Sequence, residues 1–173
     1  FLENVPFDYN DEEDVAKGVE FIRNMHSGPK HKLGWDFNMI DRAREIQNKI
    51  STDYYNAYEH FVELRQNIET LYEMVQKDGV EFEMCHNDAC SNNLLMGKNA
   101  VYLIDWEYAG DNDPASDIAS FIINNDYTYE QIDKILEMYF QREMTKEEMR
   151  HYYGYIAISS YFLVLCYFPY NSP

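Results

Sequence analysis

The stretch Cys85-His86-Asn87-Asp88-Ala89-Cys90-Ser91-Asn92-Asn93-Leu94-Leu95 decides how this chain reads, together with Leu103-Ile104-Asp105-Trp106-Glu107 just downstream. The first stretch has the form His-x-Asp, four residues, Asn, and it runs out of one short apolar segment into another. That spacing has a chemical logic. An Asp at the tip of a loop can accept a hydroxyl proton. An Asn at the far end offers an amide oxygen to a divalent cation, and a hairpin returns a second carboxylate to the same ion. An all-oxygen set suits a hard cation such as Mg²⁺, which takes only one or two carboxylates from a protein. Taken singly, Asp88 reads as well as a turn residue, Asn92 and Asn93 as turn formers, and Asp105 as a surface carboxylate. It is their combination that points to a site.

Working outward, Glu81-Phe82-Glu83-Met84-Cys85 alternates like a short strand. Asn93 to Met96 and Ala100 to Ile104 are apolar runs separated by Gly97-Lys98-Asn99, a hairpin signature. On both sides the period becomes helical. Val15, Val19, Ile22 and Met25 predict a helix from Asp11 to His26, acidic in its first turn and stopped by Ser27-Gly28-Pro29. Residues 28–38 read as a loop. A second helix is expected from Met39 to about Lys49. A long one follows Ser51-Thr52, carrying Tyr54, Tyr58, Phe61, Ile68 and Val75 until Asp78-Gly79. Downstream, Pro114 to Ile123 reads as a helix. Thr128-x-x-Gln131 and Thr145-x-x-Glu148 are capping boxes that open two more, the last running to about Phe168 and ended by Pro169. Residues 1–10 read as irregular. The expected fold class is α+β, mostly helical, with a short β-hairpin patch carrying the loop.

With 173 residues the chain is one domain or one large lobe. A hydrophobic share of 46% with 16% aromatics rules out a disordered chain. The net charge of −17 repels nucleic-acid phosphates and attracts cations, from metal ions to amines and quaternary ammonium groups. Cys85, Cys90 and Cys166 are an odd number with no Cys-x-x-Cys pair, which argues against a disulfide framework or a zinc site. Glu3 and Asp8 make the start unlike a signal peptide. The apolar run Tyr161 to Tyr170 is shorter than the ~20 residues of a bilayer span. A soluble, cytoplasmic protein without a membrane span is the expectation.

Cys85-His86-Asn87-Asp88 with Asn93-Leu94-Leu95, Leu103-Ile104-Asp105-Trp106-Glu107-Tyr108-Ala109-Gly110 and Asp113-Pro114-Ala115-Ser116-Asp117-Ile118-Ala119 resemble the choline/ethanolamine kinase family. The bacterial choline kinases are most similar. The family has an aminoglycoside-phosphotransferase-like fold related to protein kinases. The resemblance spans residues 11–173 as a C-terminal lobe, with residues 1–10 as a hinge segment from an N-terminal nucleotide lobe. It implies ATP- and Mg²⁺-dependent phosphorylation of the hydroxyl of a small amino alcohol, choline ahead of ethanolamine. An aminoglycoside phosphotransferase, or a non-catalytic kinase-like binding lobe, is the alternative.

Carried over residue by residue, the resemblance makes Asp88 the catalytic base and Asn93 and Asp105 the Mg²⁺ ligands. His86 and Asp117 become supports of the loop, and Leu2, Glu3 and Asn4 meet adenine at the hinge. Trp106, Glu107, Tyr108, Tyr129 and Tyr167 are the candidates for binding the cationic substrate. Choline kinases of this family carry two Trp three residues apart on the last helix. The matching positions here are Val164 and Tyr167. Asn124 stands where the family often has Glu, and Trp35 stands alone on its loop without an assignment. The chain holds no Gly-rich phosphate loop and no strand Lys with a helix Glu partner. The resemblance therefore implies that these residues alone are inactive.

Overall fold

The computed structural model describes residues 5–28, 32–50 and 60–167. In chain order its elements are strand β1 (Val5–Pro6), helices α1 (Glu12–Ser27), α2 (Met39–Gln47) and α3 (Phe61–Gln76), and strands β2 (Glu83–Cys85), β3 (Leu94–Met96), β4 (Val101–Leu103) and β5 (Gly110–Asn112). Helices α4 (Ala115–Ile123), α5 (Tyr129–Phe140) and α6 (Lys146–Cys166) complete it. The fold is mostly helical with two small antiparallel sheets, as the sequence predicts. One sheet has the order β1-β3-β4 and the other pairs β2 with β5.

Local chemistry explains the helix ends. The Asp11 carboxylate accepts from the amides of Glu13 and Asp14 and so caps α1. Asn38 caps α2 in the same way. Both expected capping boxes are formed, at Thr128 with Gln131 and at Thr145 with Glu148. Arg142 holds the Glu148 carboxyl down at about 2.

Helix α4 is the centre of the molecule. Every residue from Ala115 to Ile122 is buried. On one side Ile118 and Phe121 join Val19 and Ile22 of α1, Leu94 of the hairpin and Leu136 of α5 in one apolar core. On the other side Ala115 and Ala119 meet Ile40 of α2, Ile68 of α3 and Ile158 and Leu165 of α6 in a second core. Each fully buried Leu, Ile or Phe contributes about 1.5–3 kcal/mol. A helix enclosed on all sides must also bond its polar residues internally. Ser116 and Asp117 do so, and both bonds lead to the loop quoted above.

The structure adds to the expectations at some points and departs from them at others. Residues 1–10 are not wholly irregular, because Val5 and Pro6 pair with Met96 and Leu95 and add a strand to the hairpin; two residues are too few to show an alternation. The proposed hinge residues Leu2, Glu3 and Asn4 lie outside the described residues. The long helix after Ser51-Thr52 does not run through to Asp78. His60 is left-handed at φ 69°, so α3 starts at Phe61, and Tyr54 and Tyr58 fall outside the described residues. The strand at Glu83 pairs with Gly110–Asn112, a strand the sequence reading did not mark, because Gly-Asp-Asn is a turn composition. Helix α6 ends at Cys166 with Tyr167 as its cap, while Phe168 and Pro169 lie outside the described residues.

A buried histidine also locks the start of α4. The buried His151 of α6 bonds Asp113 Oδ2 at 2.8 Å and Asp78 Oδ2 at 2.9 Å, so one ring ties the start of α4 to the end of α3. Burial pulls the His151 pKa down, but bonds and charge from Asp113 and Asp78 outweigh it, and the net value is raised above 6.5. A raised pKa in the folded state stabilises most below the unfolded value, and this stabilisation fades as pH climbs through the folded value. The thermal midpoint is therefore expected to fall between about pH 6 and 8, with a shallower slope in His151→Gln. Scanning calorimetry across that range checks it, and identical slopes would refute it.

Candidate active site

The loop after β2 is held from below by one carboxylate. Asp117 is fully buried, and its Oδ2 accepts from the His86 amide at 2.9 Å while Oδ1 accepts from the Asn87 amide at 2.6 Å. Two consecutive amides can face one side chain because Asn87 adopts φ 64°, a left-handed turn that Asn tolerates. The Asn87 side chain then fills the turn. Its amide nitrogen donates to the Tyr108 carbonyl at 3.0 Å, and its oxygen accepts from Asn112 at 2.8 Å and from the Ser116 hydroxyl at 3.0 Å. Gly110 passes so close to this packing that a Cβ would lie 2.9 Å from Phe37 Cβ.

His86 joins the two halves of the site. Its Nδ1 accepts from the Asp88 amide at 3.2 Å, which leaves the ring proton on Nε2 to donate to the Ile104 carbonyl at 2.9 Å. Trp106 meets the edge of the ring with centroids 4.7 Å apart. Asp105, next to Ile104, is thereby fixed relative to Asp88. The Ile104 amide donates in turn to the Asn93 carbonyl at 2.9 Å.

The structure thus brings Asp88, Asn93 and Asp105 together. Asn93 Nδ2 donates to the Asp88 carbonyl at 2.8 Å and to Asp88 Oδ2 at 2.9 Å. That commits the nitrogen of the Asn93 amide and leaves its oxygen for another partner. Asp105 is exposed, left-handed at φ 66°, and its carboxylate makes no hydrogen bond or ion pair to a side chain among the described residues. Partial burial, with the nearby Asp105 charge, raises the Asp88 pKa; Asn93, His86 and Cys90 pull the other way without cancelling it. A carboxylate pushed up in this manner is a stronger proton acceptor. Two oxygen donors flanking such a base fit a hard divalent cation.

Around this centre lies an exposed aromatic rim. Trp106 and Tyr108 are each about two-fifths exposed. Phe37 meets Tyr108 edge-on at 6.0 Å. Trp35, unassigned from sequence, belongs here: its Nε1 donates to the Ala109 carbonyl at 2.9 Å. The Asp111 carboxylate holds that loop by accepting from the amides of Leu33 at 2.7 Å and Gly34 at 2.9 Å. Burial raises the Cys166 pKa and the Asp88 charge adds to it, so the end of α6 lies on the side of the site. Val164 and Tyr167, on either side of Cys166, are exposed. Glu107 lies in the same turn as Trp106 and Tyr108. Tyr129 stands apart, exposed at the first residue of α5, a helix that packs on α1. Nothing in the local sequence could have assigned Trp35 or Cys166, because chain sections far apart bring them here.

Residues 12–160 match the family model described as choline/ethanolamine kinase. Protein LicA of Haemophilus influenzae is 40% identical over 68 residues, which cover 39% of this chain and 20% of that protein. Probable choline kinase 1 of Arabidopsis thaliana is 32% identical over 110 residues, covering 61% of this chain and 31% of that protein. The crystal structure of a choline/ethanolamine kinase family protein from Mesorhizobium loti superposes with a TM-score of 0.79 at 16% identity, over 94% of this chain and 57% of that one. The chain thus spans under a third of these curated relatives and just over half of the solved one.

Proposed function

The chain belongs to the choline/ethanolamine kinase family, and we propose that it carries the proton-accepting, metal-holding and acceptor-binding residues of a kinase that phosphorylates the hydroxyl of a small amino alcohol, choline first, with ATP and Mg²⁺. The observation that carries this reading is the convergence of Asp88, Asn93 and Asp105, joined through His86 and Asn87 to one buried carboxylate. In it, Asp88 accepts the proton of the acceptor hydroxyl as that oxygen attacks the terminal phosphorus of ATP, the bond from that phosphorus to the bridging oxygen breaks, and ADP leaves with the electron pair. The Asn93 amide nitrogen steadies the Asp88 oxygen, and its own oxygen joins the Asp105 carboxylate in holding Mg²⁺. Held there, the ion would supply positive charge to offset the negative charge that develops on the transferring phosphoryl group. Positioning and electrostatics account for most of the catalysis in such a transfer.

The acceptor is read from the rim. A methylated ammonium favours aromatic faces with negative charge nearby. Trp106, Tyr108, Trp35 and Tyr167 offer the faces, and Glu107 with the charge of −17 offers the field. A desolvated cation–π contact is worth about 2 kcal/mol, or roughly thirtyfold in affinity. Val164, where family relatives carry a Trp, forfeits part of that, so choline should bind weakly and its preference over ethanolamine should be modest. No helix among the described residues is long and apolar enough to cross a membrane.

Steady-state kinetics of the complete protein with choline, ethanolamine and kanamycin test the reading. Choline should have the highest kcat/KM. Tyr167→Ala should raise the KM for choline more than that for ethanolamine, whose primary ammonium relies more on carboxylates such as Glu107. Turnover of kanamycin without turnover of choline would replace this reading by an aminoglycoside phosphotransferase. Absence of any turnover would favour a non-catalytic binding lobe.

A further inference from the structure

The catalytic loop is tied to α4 at two separate points. Its first half hangs on Asp117, whose Oδ2 also bonds His26 Nε2 of α1 at 3.0 Å, with Tyr139 Oη 2.8 Å from the other ring nitrogen. Its far half, Ser91–Asn93, is one turn of 3-10 helix, closed by the Asn93 amide donating to the Cys90 carbonyl at 3.0 Å. That turn is held by different residues. The Ser91 hydroxyl lies 3.0 Å from Asn125 Oδ1, and Asn125 Nδ2 lies 2.9 Å from the Phe121 carbonyl. Asn125 sits just past the end of α4, where its own amide donates to the Ile122 carbonyl at 3.2 Å.

The donor directions are forced. A carbonyl only accepts, so the Asn125 atom facing Phe121 is the nitrogen and the atom facing Ser91 is the oxygen. An amide oxygen also only accepts, so the Ser91 hydroxyl donates. Phe121 is fully buried, with its ring against those of Phe7 and Tyr127, and gives Asn125 a rigid footing. The carbonyls of the last turn of a helix have no helical partner. Asn125 satisfies one of them with its nitrogen alone. The end of α4 therefore has no need of the Ser91 hydroxyl, and that bond serves the loop.

Asp117 and Asn125 stand about two helical turns apart. Asp88 hangs between the two ties, and Asn93 follows the second. Asn93 Nδ2 meets Asp88 Oδ2 at 2.9 Å only while both halves of the loop keep their register. A turn released at Ser91 would carry the Asn93 amide away from Asp88 and from Asp105.

We infer that Asn125 is a positioning residue for Asn93, acting through the Ser91 hydroxyl, and that this second tie sets the reach between the Asn93 amide and Asp88. The kinetic consequence rests on the proposed kinase reading, and the structural one does not.

The test uses the complete protein with Ser91→Ala, Ser91→Thr, Asn125→Ala and the double variant with Ala at both positions. Hydrogen exchange at the Asn93 amide should accelerate by about threefold to tenfold in Ser91→Ala, the scale of one hydrogen bond, while the His86 and Asn87 amides held by Asp117 keep their rates. The apparent affinity for Mg²⁺ should weaken by a similar factor and kcat should fall with it, with the KM for the amino alcohol within about twofold. Ser91→Thr keeps the hydroxyl and should restore most of each loss. Asn125→Ala should match Ser91→Ala in metal affinity but lower the thermal midpoint further, because it also strips the Phe121 carbonyl. In metal affinity the double variant should be no worse than Asn125→Ala, since its second substitution has no bond left to break.

Unchanged exchange at Asn93 in Ser91→Ala would overturn the inference, whatever the kinase assay shows. Equal acceleration at His86, Asn87 and Asn93 would mean general loosening and would overturn it as well. So would additive losses in the double variant, or a Thr variant as impaired as the Ala variant. If the wild-type protein phosphorylates no amino alcohol, the kinase reading fails and the exchange comparison still decides this one. Should Asn125→Ala not fold, Ser91→Ala and Ser91→Thr carry the same comparison.

Discussion

Replacing Asp88 by asparagine is expected to lower kcat of the complete protein by about 10²–10⁴-fold while the KM of either substrate changes little. The carboxylate is the only group at the tip of the loop able to accept the acceptor's proton. Its neighbours are spent on holding it: Asn93 donates to Oδ2 and His86 receives the Asp88 amide. Asparagine keeps the shape and the ability to accept a hydrogen bond from the hydroxyl, but not the proton affinity. Binding should survive and the chemical step should not. The raised pKa of Asp88 adds a pH signature. The base works in its ionised form, so the rate should fall as pH drops through that raised value, at a higher pH than an ordinary aspartate with a value of 3.8 would give. Steady-state kinetics and a pH profile of kcat/KM check both statements. A variant that keeps most of the wild-type rate would remove Asp88 from the role of base.

Asp105→Gly is expected to separate activity from stability. Asp105 is left-handed at φ 66°, a conformation that costs a residue with a Cβ of the order of 1 kcal/mol and costs glycine little. Its carboxylate makes no hydrogen bond or ion pair to another side chain among the described residues, so folding loses little with it. A residue of no structural importance should therefore tolerate glycine, with a thermal midpoint held or slightly raised. If Asp105 holds Mg²⁺ with Asn93, kcat should nonetheless drop by about 10²–10³-fold, the scale on which a pre-organised electrostatic partner matters. The apparent affinity for Mg²⁺ should weaken in parallel. Metal-dependent kinetics with calorimetry on the same preparation measures all three quantities. A drop in midpoint with unaltered metal dependence would make Asp105 structural, and undiminished activity in excess chelator would exclude the metal role altogether.

Strain and exposure at Asp105 show how a site differs from a merely stable surface. Among the described residues four non-glycine positions have positive φ, and two of them, Asn87 and Asp105, flank the proposed base. One shapes the turn that delivers two amides to Asp117, and the other turns a carboxylate outward where solvent or a cation can meet it. Asn and Asp are the residue types that tolerate this region best, so the backbone requirement and the chemical requirement select the same letters.

Much was legible in the sequence for local reasons. Capping boxes at Thr128 and Thr145 need only residues three apart, and both formed as written. The Gly97-Lys98-Asn99 turn closes its hairpin through adjacent residues, with the Gly97 amide donating to the Ala100 carbonyl. Asp88, Asn93 and Asp105 could be picked out because the spacing of loop and hairpin is itself short-range. The amphipathic period located α1, α2 and the later helices to within a few residues. By itself the sequence thus determined the helical character, the hairpin, the identity of the central acidic loop and the cation-seeking charge.

Tertiary structure decided the rest. Gly110-Asp111-Asn112 is a strand only because β2 and the backbone of Trp35 and Phe37 give its backbone groups partners, against the turn preference of its letters. His60 interrupts a helical pattern that the apolar period would have carried through. Asp117 looks in sequence like an ordinary acid in the first turn of a helix, and it is a fully buried anchor because α4 is enclosed by helices from both ends of the chain. His26 and Asp117 are 91 residues apart and His26 and Tyr139 are 113 apart, separations at which no local pattern exists to be read. The physical reason is one of range: propensity, capping and turn chemistry act over a few residues, whereas the pairing of buried polar groups is settled only when packing excludes water and leaves each donor a single partner.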